Sequence, residues 1–541
     1  MISYIHEPVS KSGGEHTMGI YLNPGNTAFS KAIHSKIYVD KTELIKYTND
    51  VLGTKQGNIC VSRPRRFGKS MAIEMLAAYY SKGCNSEKLF ADLKIRDAGS
   101  FSVHLNRHNV IFLNIQRFLS RAKSARELVP YLETRVLKEL KQAYPSEVSG
   151  ETGHLSEALE EIYNRTETGV LFLIDEWDCI FREKQHDIEA QTLFLDFLRD
   201  LLKDQPYVDL AYMTGILPIK KYGTHSALNM FDEYSMMDPG PLAEFVGFTD
   251  SEVKALCSAY QVDFQEMKRW YDGYQFADDL HIYSPKSVID SLLHGRFSNY
   301  WTATETYEAL KVYIEMDFHG LKDSILTMLG NGKCRINPRT FQNDMTSFKN
   351  RDDVLTLLLH LGYLAYDINS QEAFIPNQEL AGEFENAVEC GDWKNVADAL
   401  QKSEELLKAT MTGNSDMVEN ILDSVHQENT SILSYNNENS LSCVIALAYF
   451  SARKDYLMIR EFPAGNGFAD IVFLPRKASN AIAFVVELKW NHSAKGAISQ
   501  IKKKDYVKSL ESYTGNILLV GINYRKKDKK HECIIETHIK A

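Results

Sequence analysis

Long apolar runs are what this chain most lacks. None approaches the roughly 20 residues that a membrane-spanning helix needs, so no span is expected. The opening residues, Met1-Ile2-Ser3-Tyr4-Ile5-His6-Glu7-Pro8, have neither the basic nor the apolar stretch of a secretory leader. Cysteine is sparse: eight residues, scattered singly, with no C-x-x-C pair. That argues against a zinc ribbon and suits a reducing cytoplasm, the expected location. Internal repeats and low-complexity tracts are also missing. What remains is an ordinary globular composition, 44% hydrophobic and 25% charged over 541 residues. That length has room for roughly three or four domains.

Charge is distributed unevenly. The net charge is −11, yet from Ser431 onward there are 17 Lys and Arg against 10 Asp and Glu, a local balance of +7. The clusters are Lys502-Lys503-Lys504 and Arg525-Lys526-Lys527-Asp528-Lys529-Lys530. A basic end on an acidic protein suits a polyanionic partner there, although a solvated helix face gives the same pattern.

The most specific stretch is Ser62-Arg63-Pro64-Arg65-Arg66-Phe67-Gly68-Lys69-Ser70. It lies between an apolar run, Asn58–Val61, and a helical pattern that starts at Met71. Strand, tight loop and helix form the context of a phosphate-binding loop, whose backbone N–H groups and helix N-terminus cradle phosphates. Lys69 would neutralise the β/γ-phosphates and the Ser70 hydroxyl would ligate Mg²⁺. Arg63 stands where the usual pattern has its first glycine. Downstream, Gly169–Glu176 reads as a buried parallel strand ending in two carboxylates. Acids at that end of a strand point into the crevice where α/β sheets bind ligands. Asp175 would hold Mg²⁺ and Glu176 would polarise an attacking water.

Strands are expected at 37–41, 109–115 and 210–215, with a long amphipathic helical region over 125–163 and a helix over 192–203. Alternating strands and helices imply an α/β, doubly wound parallel sheet. Residues 241–300 read as helical. A helix ending at Leu361, followed by Gly362-Tyr363-Leu364 and a strand pair up to Pro376, has the pattern of a winged helix. It lacks a basic stripe, so a joining role is favoured over DNA binding.

The C-terminal region carries a second constellation. Gly465–Phe473 reads as a turn entering a strand, and Ala481–Trp490 as a second strand. Two-residue periodicity places Glu487 and Lys489 on one face. Paired as a hairpin, the strands bring Asp470 beside Glu487. Two carboxylates make a hard oxygen site for Mg²⁺ or Mn²⁺, and Lys489 would orient a water and stabilise developing negative charge. Gln500 and Tyr506 flank the triple lysine. Glu438, on an earlier helix, is a further carboxylate candidate.

With these motifs in place, the chain resembles the bacterial AAA-ATPase-like proteins fused to a C-terminal PD-(D/E)XK nuclease-superfamily domain. The resemblance rests on Met18–Asn26, Tyr38-Val39-Asp40-Lys41-Thr42, Arg63–Ser70, Leu173–Asp178, Thr214-Gly215, Trp270-Tyr271-Asp272-Gly273-Tyr274 and the Asp470/Glu487/Lys489 set. It implies a P-loop NTPase core (18–240) after an optional extension (1–17), a helical lid (241–301) and a helical or winged-helix-like connector (302–430). An α/β restriction-endonuclease-like domain (431–541) would follow. It further implies ATP and Mg²⁺ at Arg63, Pro64, Arg65, Arg66, Phe67, Gly68, Lys69, Ser70 and Asp175, with Glu176 catalytic and Thr214 a sensor-like residue. Glu438, Asp470, Glu487, Lys489 and Gln500 would be the nuclease residues, with Asp470 and Glu487 holding the metal. Trp177 departs from an expected tyrosine, and Ile216–Lys221 replaces a more polar stretch. The arginine finger is open among Arg63, Arg65, Arg66 and an arginine of a neighbouring subunit. The functional expectation is an ATPase whose nucleotide state gates cleavage of DNA or RNA, with defence against foreign nucleic acid as one role. Two alternatives stay open: a regulatory switch whose C-terminal domain binds nucleic acid without cutting it, and a homo-oligomeric assembly protein.

Overall fold

The computed structural model describes residues 19–219, 228–276, 280–301, 307–316, 318–343, 345–389, 394–428, 438–465, 467–475, 482–510 and 516–539. The proposed extension 1–17, Met18 and Lys220–Lys221 lie outside them. The chain divides into two compact units. The first runs Met1–Trp301 and resumes at Ile336–Gln371; the second comprises Thr302–Arg335 and Glu372–Ala541. The region 302–430, read from the sequence as one connector, is thus shared between them.

The first unit is built on β1 (Asn58–Ser62), β2 (Asn109–Asn114), β3 (Val170–Asp175), β4 (Val208–Gly215) and β5 (Asp232–Tyr234). They form one parallel sheet in the order β2-β3-β4-β1-β5. Near-continuous Val, Ile and Leu in these strands reflect burial on both faces; every residue of β3 is buried. The carboxyl ends of β1, β2, β3 and β4 therefore open on one crevice, where Ser62, Asn114, Asp175 and Gly215 stand. Helix Lys69–Tyr80 follows β1 through Gly68, whose φ of +94° is left-handed. Glycine adopts that turn without a Cβ penalty.

Several sequence expectations are corrected. Residues 37–41 form no strand. Asp40 Oδ1 instead accepts from Thr42 N (2.8 Å) and Oγ1 (2.7 Å), turning the chain into helix Glu43–Val51. The helical region over 125–163 comprises two helices, Leu128–Ala143 and Leu155–Thr166, parted by a segment containing Pro145, Gly150 and Gly153. The helix expected from Thr192 begins at Ile188, where the Asp187 side chain accepts from Ala190 N. The lid is not purely helical. It combines helices Asp250–Tyr260, Phe264–Tyr271 and Pro285–His294 with β6 (Phe248–Thr249), β7 (Tyr274–Phe276) and β8 (Leu280–Tyr283), an antiparallel sheet ordered β6-β8-β7.

The Tyr38–Thr42 motif ties this lid to the core. Lys41 Nζ donates to the Glu244 carbonyl (2.6 Å) and to Glu252 Oε2 (2.5 Å). Glu252 also caps helix Asp250–Tyr260 through Thr249 N. Burial lowers the Lys41 ammonium pKa, and Glu252 opposes the shift.

β9 (Cys334–Arg335) pairs antiparallel with β11 (Glu372–Phe374) in the second unit. β10 (Ala365–Asp367) follows helix Arg351–Leu361 in the first. Helix Arg351–Leu361, Gly362 and the two short strands expected after it, β10 and β11, are present in that order. The main sheet of the second unit is β12 (Tyr456–Ala464), β13 (Gly467–Pro475), β14 (Ala483–Trp490), β15 (Ile517–Arg525) and β16 (Lys530–His538), in that order. Its pairs are antiparallel except β14–β15, joined by helix Ala494–Lys503. That helix and Tyr506 cover the face bearing Val472 and Val485. Leu441, Val444 and Ile445 of helix Glu438–Ala448 cover the opposite face at Phe484, Val486 and Leu488.

The segment after Gly19 is held by one carboxylate and by backbone bonds to β2, Asn23 N–H to the Val110 carbonyl (2.7 Å) and Phe112 N–H to the Tyr21 carbonyl (2.8 Å). Glu139, on helix Leu128–Ala143, accepts the backbone N–H groups of Ile20 (3.0 Å), Tyr21 (2.9 Å) and Leu22 (2.9 Å). A Cβ on Gly19 would collide with that carboxylate. Glu139→Ala is expected to destabilise the first unit by about 2 kcal/mol, since several amides lose a charged acceptor. Urea denaturation followed by tryptophan fluorescence measures it.

Candidate nucleotide and phosphodiester sites

The first site forms where β1, β3 and β4 end. Asp175 is 2% exposed, and three groups converge on its carboxylate. Ser70 Oγ donates to Oδ2 at 2.8 Å, Asn114 Nδ2 donates to Oδ2 at 3.1 Å, and Thr214 Oγ1 donates to Oδ1 at 2.7 Å. Lys69 is buried, and its ammonium is drawn onto the loop by the carbonyls of Arg63 and Pro64, both at 2.8 Å. Burial lowers the pKa of Lys69. Glu176, Asp178 and Asp175 oppose that shift, Glu176 most strongly. A buried ammonium at the mouth of a glycine-hinged loop suits phosphate oxygens. The Ser70 hydroxyl and the Asp175 carboxylate are hard oxygen donors that suit Mg²⁺.

Aromatic residues brace the outer side of the loop. The Trp301 indole donates to the Arg65 carbonyl at 3.0 Å, and the rings of Phe67 and Tyr274 meet edge to face at 5.5 Å. The Tyr274 hydroxyl donates to the Gly362 carbonyl. A Cβ on Gly362, whose φ is +89°, would sit 2.7 Å from Pro64. Of the Trp270–Tyr274 motif, Tyr274 thus packs around the loop, while the Trp270 and Tyr271 rings pack against Phe297.

Arg63, in place of the first loop glycine, is fully buried. Its Nη1 donates to the carbonyls of Ser62 and Tyr234, both at 3.0 Å, and its guanidinium lies over the Phe276 ring. Burial lowers its pKa to about 10. Such a cation is placed to join β1, β5 and the lid, not to swing as an arginine finger. Arg66 holds a left-handed φ of +69° within the loop.

The acidic strand tip is more connected than its motif suggests. Glu176 has a φ of +55°, and its carboxylate contacts Arg182. Arg182 Nε donates to Asp178 Oδ2 at 3.0 Å. That same oxygen accepts N–H groups from Ile216 (3.0 Å) and Leu217 (2.8 Å). Asn114 and Arg182 were missed in the sequence, and Asp178 was quoted without a role. Asn114 was findable, because it ends a parallel strand as Asp175 does. Asp178 and Arg182 also have the i,i+4 spacing of a helical ion pair.

The second site lies on β13 and β14. Ile471 pairs with Val486, which brings Asp470 alongside Glu487. Asp470 Oδ2 accepts Leu488 N–H at 2.6 Å. Glu487 is 1% exposed, and Lys489 Nζ donates to its Oε1 and to the Leu488 carbonyl, both at 2.9 Å. Gln500 Nε2 donates to the Tyr506 hydroxyl at 3.2 Å. Burial raises the pKa of the Tyr506 phenol, and Glu487 and Asp470 add to the effect. The two acids, Lys489, Gln500 and Tyr506 thus share one neighbourhood. Glu438 begins its helix, but its side chain lies outside the described residues.

Among the described residues, no three His, Cys, Asp or Glu side chains gather as a metal cage. Both sites have instead the one or two carboxylates with which Mg²⁺ is usually held, leaving room for water and phosphate. No helix among the described residues is long and apolar enough to cross a membrane.

Known proteins agree with this architecture. Residues 25–224 match the family model described as predicted AAA-ATPase, and residues 436–533 match that of the PD-(D/E)XK nuclease superfamily. An uncharacterized protein in the vnfD 5′ region of Azotobacter chroococcum mcd 1 is 26% identical over 280 residues, 50% of this chain and 51% of that protein. The chain therefore spans about half the length of this curated relative. Among solved structures, a Walker-type ATPase of Pyrococcus abyssi has a TM-score of 0.32 at 12% identity, covering 64% of this chain and 94% of its own. Cdc6p of Pyrobaculum aerophilum has a TM-score of 0.25 at 10% identity, covering 67% and 98%. These scores add nothing to the strand order already described. The chain joins an AAA-ATPase-like domain to a C-terminal PD-(D/E)XK nuclease-superfamily domain.

Proposed function

We propose that the protein binds and hydrolyses ATP at the first site, and that its nucleotide state gates metal-dependent phosphodiester cleavage of DNA or RNA at the second. The observation that carries the reading is the convergence of Ser70 and Thr214 on Asp175 beside the buried Lys69. Lys69 would bind phosphate oxygens, Ser70 and Asp175 would hold Mg²⁺, and Glu176 would take the proton of an attacking water. Bound Mg²⁺ would neutralise charge building on the phosphates. Thr214 keeps Asp175 oriented through its hydrogen bond to Oδ1.

At the second site, Asp470 and Glu487 would hold Mg²⁺ or Mn²⁺, which would activate water and polarise the phosphodiester. Lys489 would stabilise charge on the phosphate oxygens, and Gln500 with Tyr506 would line the approach. The basic balance of the last 111 residues supports a nucleic-acid partner. A regulatory switch that binds nucleic acid without cleaving it is the second reading, since the basic balance of this segment supports binding without implying cleavage.

Lys69→Ala is expected to lower ATP turnover by about 100-fold or more, measured as phosphate release. Plasmid, linear DNA and RNA incubated with Mg²⁺ or Mn²⁺, with and without ATP, test the second site. Cleavage should disappear in Glu487→Ala. Cleavage by Lys69→Ala that matches the wild type under every nucleotide condition would refute gating. Binding without cleavage, lost in Glu487→Ala, would favour the regulatory switch.

A further inference from the structure

Arg182 lies on the short helix Cys179–Glu183, which follows the acidic strand tip. Its side chain is 6% exposed and reaches two carboxylates, Glu176 and Asp178. Burial works against its charge, but Asp178 and then Glu176 overcome it, so the guanidinium pKa stands above its ordinary value. A buried charge of this kind is costly unless its partners are well placed. The partners here are the residues flanking Trp177, whose own N–H is fixed to the Thr214 carbonyl at 3.0 Å.

Glu176 needs such a holder. Its backbone is left-handed at φ +55°, a conformation that a non-glycine residue adopts only when its surroundings hold it there. From that turn, a long side chain has several rotamers open to it. The Arg182 contact selects one, and in it Glu176 is the charged group acting most strongly on Lys69 of the phosphate-binding loop. The other end of the guanidinium holds Asp178, and through it the Ile216 and Leu217 amides that follow Thr214.

We propose that Arg182 is a positioning residue for ATP hydrolysis: it fixes the Glu176 carboxylate against the phosphate-binding loop and, through Asp178, sets the chain just beyond Thr214. The inference rests on the ATP-hydrolysis reading above and deepens it. Arginine suits the task because its planar fork holds two acceptors at once, whereas a lysine ammonium is a point charge without that fixed geometry. Arg182 touches neither Lys69 nor Ser70 in the described contacts, so its removal should spare nucleotide binding.

The test uses the full chain as wild type, Arg182→Met, Arg182→Lys, Glu176→Gln and the Arg182→Met/Glu176→Gln double variant. ATP turnover and ADP affinity by calorimetry are measured for each. Arg182→Met should lower kcat by roughly 30- to 100-fold, the scale of a small misplacement of a catalytic group, with ADP affinity within about threefold. Arg182→Lys should recover part of the loss. The double variant should lose much less relative to Glu176→Gln than Arg182→Met loses relative to wild type, because the Glu176 route is already gone and only the Asp178 route is left. Wild-type kcat in Arg182→Met, or a full additional loss in the double variant, would overturn the role. Equal losses of kcat and ADP affinity would also overturn it, reducing Arg182 to a structural prop. If Arg182→Met does not fold, Arg182→Lys decides: reduced kcat with retained affinity supports the proposal, and wild-type kcat refutes it. No turnover by the wild type would overturn the hydrolysis reading together with this inference, whereas turnover unaffected by Arg182 overturns this inference alone.

Discussion

A buried carboxylate with nowhere else to turn organises the first unit. Asp175 sits at the end of an all-apolar strand, where an unpaired charge would be costly. Its oxygens are satisfied by Ser70 from the loop helix, Asn114 from β2 and Thr214 from β4. One charge therefore sets the relative height of three strand ends and the first turn of a helix. The crevice follows from this constraint: the parallel order β2-β3-β4-β1-β5 places β4 between the strand that feeds the loop and the strand that ends in the acids.

The loop is held from outside as well. Its carbonyls at Arg63 and Pro64 face Lys69, and that of Arg65 faces the Trp301 indole. Tyr274 and Gly362 pack around Phe67 and Pro64. On the opposite flank, Arg63 fills the space that a glycine would leave and bonds the β5 carbonyl of Tyr234. The arginine-rich loop is therefore stiffened by its neighbours where the usual pattern relies on an added glycine.

Much of this was legible because its signals are local. The strand-loop-helix around Gly68, the apolar strand ending at Asp175, and the Glu487/Lys489 alternation each fit within about ten residues of sequence. The rest depends on partners far apart in the chain. Lys41 finds Glu252 211 residues on, Glu139 receives amides nearly 120 residues away, and Asp178 captures amides 38 and 39 residues downstream. No periodicity reports such pairings. The expected strand at 37–41 failed because Asp40 draws that segment into a local turn at Thr42. The lid was read as helical because its strands are two to four residues long, too short for alternation to register.

The first unit is not a continuous stretch of chain. It leaves off at Trp301 and takes up again at Ile336–Gln371, after the chain has contributed Thr302–Arg335 to the second unit. The returning segment brings Gly362, on which Tyr274 closes. A single crossover therefore cannot trade one unit cleanly for a homologue's: a cut after Trp301 leaves a piece of the first unit with the second, and a cut after Gln371 leaves a piece of the second with the first. The two units are bound to be inherited together, and a frameshift anywhere before residue 371 removes part of both.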